Sequence, residues 1–153
     1  MKNYDEMYAI LSDIRSEEIV NEMKHYIHHG NVTIYEHCEH VARLCYDMNR
    51  SLKLNSDLRV LLVGAMLHDF YLYDWHRVDD GSHRLHGYRH AATACGNAKK
   101  YFDIDDKIYQ VIYSHMWPLN LGRIPQSKEA WILCLSDKCV SLYETLRLRS
   151  AGQ

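Results

Sequence analysis

Histidines and aspartates recur in this chain at places where they could share a metal ion. His68-Asp69 follows directly on Val60-Leu61-Leu62-Val63-Gly64-Ala65-Met66-Leu67, the longest apolar run. Two polar side chains behind a buried run are costly unless something satisfies them, and a cation bound by both would do so. A helix-terminal histidine on the dipole beside a capping aspartate explains the dipeptide nearly as well, so the rest of the chain has to decide. His37, His90 and His115 each fall on a different expected helix or helix end. Asp137 stands inside Leu133-Cys134-Leu135-Ser136-Asp137-Lys138, where a carboxylate is expensive to bury without a partner. A helical bundle can direct such side chains inward to one core site. The chain has eleven histidines, and imidazole suits Zn, Fe, Ni and Cu.

The elements that would position these residues read as helices. Only two prolines, Pro118 and Pro125, interrupt 153 residues, and no segment sustains strand-like alternation. A first helix is expected from Tyr4 to His28, with breaks near Ser12 or Ser16, ending at Gly30. Thr33-Ile34-Tyr35-Glu36 is a capping box that opens a second helix with Val41, Leu44, Cys45, Met48 and Leu52 as its apolar stripe. Ser56 can cap a third, from Asp57 to about Asp69. Phe70 to Gly87 reads as a long surface loop. A fourth helix follows from Tyr88 to Phe102. Asp103 or Asp105 caps a fifth, which runs to about His115. Trp117 to Gln126 is a second loop, and Ser127 caps a last helix from Lys128 to Leu148.

Composition bounds the rest. Hydrophobic residues make up 47% and charged residues 25%, as in globular proteins. A net charge of −2 gives no electrostatic case for nucleic acid or an anionic membrane. The apolar run is far too short for a span of about 20 residues, and Met1 to Asp13 lacks a signal-peptide core, so a cytoplasmic location is expected. Five cysteines without a C-x-x-C pair argue against disulfides and a cysteine zinc site. Reduced, buried thiols are expected. The long last helix and the aromatic-rich loop would suit a homodimer.

The order His, His-Asp, His, His, Asp resembles the HD superfamily of metal-dependent phosphohydrolases. The supporting strings are Glu36-His37-Cys38-Glu39-His40-Val41-Ala42, Leu67-His68-Asp69 and Leu135-Ser136-Asp137-Lys138. Leu85-His86-Gly87-Tyr88-Arg89-His90, His115-Met116-Trp117-Pro118 and Lys128-Glu129-Ala130-Trp131 look like small stand-alone bacterial members. The resemblance implies an all-α helical bundle of about five to seven helices spanning 1–153 as one domain. Residues 1–30 would pack on a metal-binding core at 32–144. It further implies that His37, His68, Asp69 and Asp137 bind one ion. His90 and His115 look like the extra ligands of two-metal members, with Asp69 bridging. His40 competes with His37, and His86 with His90. His25, His28, His29, His76 and His83 fit solvated positions.

The implied reaction is hydrolysis of a phosphate ester, on a nucleotide or another small phosphorylated metabolite, by a metal-activated hydroxide. Developing negative charge would need fixed cations: Lys138 first, then Arg89 and Arg84. Trp75, Trp117 and Tyr73 are candidates to line the pocket. A ligand set of histidine and carboxylate favours one or two ions of Fe or Mn, with Ni, Co or Zn possible. The same ligands are compatible with a mixed-valence di-iron oxygenase, or with a regulatory domain that only holds metal.

Overall fold

A computed structural model describes residues 3–74 and 86–151, with side chains through 3–74 and 87–147. The N-terminal region is not one helix but three short ones, α1 (Asp5–Ile10), α2 (Ser12–Ser16) and α3 (Glu18–Asn21), followed by a 3₁₀ turn at Glu22–His25. Ser12 Oγ donates to the Ala9 carbonyl and Ser16 Oγ to the Asp13 carbonyl. Such side-chain bonds compete with helix continuation. At Glu17 the backbone is extended, with φ −70° and ψ 130°, which separates α2 from α3.

A hairpin then replaces the expected end of that first helix. β1 (Ile27–His29) pairs antiparallel with β2 (Val32–Thr33), with Ile27 opposite Thr33 and His29 opposite Val32. Gly30 turns the chain at φ 57°, a left-handed conformation that costs glycine little. Ile34 N–H donates to the Tyr26 carbonyl at 2.9 Å and ties the hairpin to the next helix.

α4 (Ile34–Ser51) starts where the sequence says it should. Thr33 and Glu36 form the reciprocal capping box, so early backbone N–H groups are satisfied. α5 (Leu58–Leu67) is capped by Asp57, whose side chain accepts from Val60 N–H, rather than by Ser56. Every residue of α5 from Val60 to Leu67 is buried, as expected of a helix that is apolar all round. Phe70 and Tyr71 are also fully buried, so the start of the expected surface loop belongs to the core. Of that loop, 75–85 lie outside the described residues. α6 (His86–Tyr101), α7 (Asp106–Ser114, capped by Asp105) and α8 (Lys128–Ala151) complete the bundle. Ser127 Oγ accepts from Ala130 N–H at the start of α8.

The fold is all-α apart from the hairpin. The eight α-helices among the described residues exceed the expected count because the N-terminal region is divided. α5 is central and packs on α4, α7 and α8. The N-terminal region lies against α4: Met7, Leu11, Val20 and Met23 enter the core. Tyr4, Tyr8 and Tyr46 hydroxyls donate to Asp47, Glu39 and Glu6 across the seam. No helix among the described residues is long and apolar enough to cross a membrane. Cys38, Cys45, Cys95 and Cys134 are buried free thiols, whereas Cys139 is exposed.

One close approach holds the helices that end at the site. A Cβ on Gly64 would stand 2.7 Å from Val111 Cγ1 and 3.3 Å from Val111 Cβ, so α5 and α7 touch through a glycine. We expect Gly64→Ala to lower stability by about 1–3 kcal/mol, read as a reduced thermal midpoint. An unchanged midpoint would mean that the two helices are not packed this closely.

Candidate metal centre

Six side chains from five segments of the bundle meet at one place. His37 stands in the first turns of α4. His68 is the C-cap of α5, with Asp69 directly after it, and His115 is the C-cap of α7. His90 projects from α6 and Asp137 from α8. All six are buried, His37 and His68 completely. Capping positions matter here. A residue at a helix end can turn its side chain across the bundle while the helix fixes its backbone.

The two oxygens of Asp69 face different histidines. Oδ1 lies 3.3 Å from His90 Nε2 and 3.5 Å from His115 Nε2. Oδ2 lies 3.6 Å from His68 Nε2 and 3.9 Å from His37 Nε2. On the second side, Asp137 Oδ1 is 3.2 Å from His37 Nε2 and 3.6 Å from His68 Nε2. His90 Nε2 and His115 Nε2 are 3.0 Å apart.

Backbone and side-chain acceptors fix which ring nitrogen points inward. A carbonyl only accepts, so the nitrogen facing it carries the proton. His68 Nδ1–H donates to Ala65 O at 2.8 Å and His115 Nδ1–H to Ile112 O at 2.7 Å. His37 Nδ1 faces the Glu144 carboxylate, 2.9 Å from Oε2. In each ring this directs Nε2 at the cluster, the arrangement that metal-ligating histidines adopt.

Electrostatics sharpen the arrangement. Burial alone would push the Asp69 and Asp137 carboxyls up, but the imidazoles around them hold both well below the usual carboxylate range. Burial works against a charged His37, yet Asp137 and Glu144 outweigh it and raise its pKa to about 10. His68 is likewise raised well above its ordinary value, against burial, chiefly by Asp69. Glu144 falls to about 2, because hydrogen bonds from His37 and His40 overcome its burial.

The donor set fits a divalent transition metal. Ligand atoms about 2.0–2.2 Å from one ion lie roughly 3–3.5 Å apart, close to the separations above. Among the described residues, His68 Nε2 and Asp69 Oδ1 are buried without a hydrogen-bond partner, a cost that a bound cation would remove. Three groupings of described residues have donor atoms within 4.8 Å of each other: His37, His68 and Asp137; His68, Asp69 and His115; and His28, His37 and Glu144, the last on the side of His37 where its Nδ1 meets Glu144. Four imidazoles and two carboxylates without thiolate suit Fe, Mn, Co, Ni or Zn. The side chain of His37, not His40, enters the cluster. His40 is half-exposed and binds Glu144 Oε1 at 2.8 Å. His90 lies in the cluster, while the side chain of His86 falls outside the described residues.

A cleft of about 920 Å³ opens over these groups, lined in part by Asp69, His90, His115, Asp137, Lys138, Met116, Pro118 and Leu119. Lys138 is the sole lysine or arginine among its described lining residues. Its ammonium donates to His115 O at 2.8 Å and to Cys134 O at 3.4 Å, which pins it beside the histidines. Arg89 is exposed on α6 and is not part of that lining. Trp117 packs edge-on against Trp131 at 5.1 Å instead of lining the cleft. Tyr73 packs against Tyr71 at 5.0 Å. Trp75, His76, His83 and Arg84 lie outside the described residues.

Two residues at the site escape a reading of the sequence. His28 was expected in solvent, but it is buried, with Nε2 2.9 Å from Asp69 Oδ2. The hairpin turns it inward, and no helical pattern announces that. His29 is half-buried and lines the cleft, while His25 is exposed as expected. Glu144 is buried against His37 and His40. Its one available signal is helical spacing, since it lies two turns after Asp137 on α8.

Residues 34–142 match the family model of the HD domain. No curated protein and no solved structure matches the chain.

The surroundings of His37 and Glu144 predict a pH-dependent stability for the metal-free protein. Glu144 lies below its unfolded value of 4.5, so its contribution is full above that pH and is lost as the pH falls toward 2. His37 lies above its unfolded value of 6.5, so its contribution is full below that pH and is lost as the pH rises through about 10. In chelator-treated protein we expect this pair to stabilise most between pH 4.5 and 6.5. Glu144→Gln should cost on the order of 1–3 kcal/mol there, abolish the acid limb and only weaken the alkaline one, because Asp137 still holds the His37 proton. Urea melts from pH 3 to 9 test this, and equal losses at every pH would contradict it.

Proposed function

The chain belongs to the HD-domain family, a superfamily of metal-dependent phosphohydrolases, and on that premise we propose that it hydrolyses a phosphate ester of a nucleotide or another small metabolite. The observation that carries this reading is Asp69. It is buried at the floor of the cleft, with one oxygen toward His90 and His115 and the other toward His37 and His68. A carboxylate so placed could be shared between two ions.

In this reading His37, His68, Asp69 and Asp137 hold one ion, and Asp69, His90 and His115 hold the other. Bound divalent ions would supply an acidified water and neutralise phosphate charge. The chain's own residues do the rest. The ammonium of Lys138, fixed by the His115 carbonyl, offers positive charge at the cleft wall where a phosphoryl oxygen would lie. Met116, Pro118 and Leu119 form an apolar wall against which the remainder of the substrate would pack. Arg89, exposed on α6, would meet only a substrate that extends out of the cleft.

Phosphate release from a panel of monoesters, nucleotides and dinucleotides, assayed with Mn²⁺ or Fe²⁺, tests the proposal. We expect activity that a chelator abolishes and that Asp69→Asn lowers by 10²-fold or more, on the order of one electrostatic group at a reacting centre. Lys138→Met should keep the metal and lose about 10–100-fold in kcat/KM. No phosphate release from any substrate, with oxygen consumed by the iron-loaded protein, would favour an oxygenase instead. Neither activity, with metal retained, would favour a metal-holding regulatory domain.

A further inference from the structure

His28 lies outside residues 34–142, the part that matches the HD domain, yet it reaches the centre of the site. β1 presents it beneath the turn at Gly30. Its ring stacks on His37 with centroids 3.9 Å apart and planes 11° apart. Its Nε2 is 2.9 Å from Asp69 Oδ2, and its side chain is only 9% exposed.

The tautomer separates His28 from the metal-facing histidines. His37, His68 and His115 each have an acceptor at Nδ1, which leaves Nε2 to face the cluster. His28 Nδ1 is buried with no hydrogen-bond partner among the described residues. A protonated Nδ1 there would be a buried donor without an acceptor, a cost of about 1–3 kcal/mol. The proton therefore belongs on Nε2, where the Asp69 carboxylate accepts it.

We propose that His28 is a positioning residue of the metal centre, which donates Nε2–H to Asp69 Oδ2 and fixes the rotation of that carboxylate. This rests on the metal-binding reading given above. Asp69 has four other imidazoles around it, two at each oxygen, and one χ2 torsion decides how its oxygens are shared between them. A donor at Oδ2 sets that torsion. The stack on His37 steadies the ring on the same side. The hairpin, and with it the N-terminal region, thus becomes part of the site rather than an appendage to it.

The test uses the full chain, stripped by chelator and titrated with Mn²⁺ in a calorimeter, as wild type, His28→Gln and His28→Phe. Circular dichroism and thermal melts report folding. Glutamine keeps an N–H donor, so we expect its affinity to stay within about threefold of wild type. Phenylalanine keeps the stack and loses the donor, so binding should weaken by about 10–100-fold, as loss of a residue behind a metal ligand does. Equal affinity for His28→Phe and wild type overturns the proposal.

A second measurement needs no variant. In Zn²⁺-loaded wild type, long-range proton–nitrogen spectra should show His28 protonated at Nε2, and His68 and His115 at Nδ1. A His28 ring protonated at Nδ1, with a metal-shifted Nε2, would make it a ligand and overturn the positioning role. Wild type that takes up no metal would sink the phosphohydrolase reading as well. Metal uptake with an indifferent His28→Phe sinks this inference alone.

Discussion

Two carboxylates, Asp69 and Asp137, are buried in the centre of a helical bundle, and the rest of the structure is arranged around that cost. An isolated carboxylate pays several kcal/mol on leaving water. Here each faces imidazoles, Asp69 at 2.9–3.9 Å and Asp137 at 3.2–3.6 Å. Those contacts hold both carboxyls ionised. The same charges and the same inward-facing nitrogens are what a divalent cation requires. The histidines are also held from behind by hydrogen-bond acceptors, as metal-ligating histidines are.

The supports come from the ends of helices. α5 and α7 stop at His68 and His115, and the carbonyls of Ala65 and Ile112, each three residues back, orient those rings. The Gly64–Val111 approach sets how closely the two helices run, and so how far apart their terminal histidines lie. α8 contributes Asp137 as a facing group and Glu144 as a prop behind His37. Lys138 joins α8 to the end of α7 through the His115 carbonyl. Among the described residues, these groups of the cleft are thereby tied to one another through the core.

Much of this is legible in the sequence because it rests on local rules. The capping box at Thr33–Glu36 starts α4 where the pattern places it, one turn before His37. An uninterrupted apolar run can only be a core helix, and a His-Asp pair at its end has to face something. The order of the six histidines and aspartates carries the family. The rest depends on chain reversals that no period encodes. Serine side chains divide the N-terminal helix, and Gly30 turns a hairpin inward, so His28 is buried although its neighbours read as solvated. Glu144 is hidden for a related reason. On the outer part of a long helix a glutamate is ordinarily solvated, and only the fold brings His37 and His40 to it. Phe70 and Tyr71 follow the site residues directly and are core, which a loop-rich composition further along obscures.

The most direct measurement is a count of metal ions. Protein purified without chelator, analysed for transition metals beside His68→Ala, should carry about two ions per chain, and the variant should lose at least the ion held with Asp69 and Asp137, both of which His68 faces. No transition metal in the purified wild type, and none taken up on addition of Mn, Fe, Co, Ni or Zn, would contradict the central claim that this buried cluster is a metal centre.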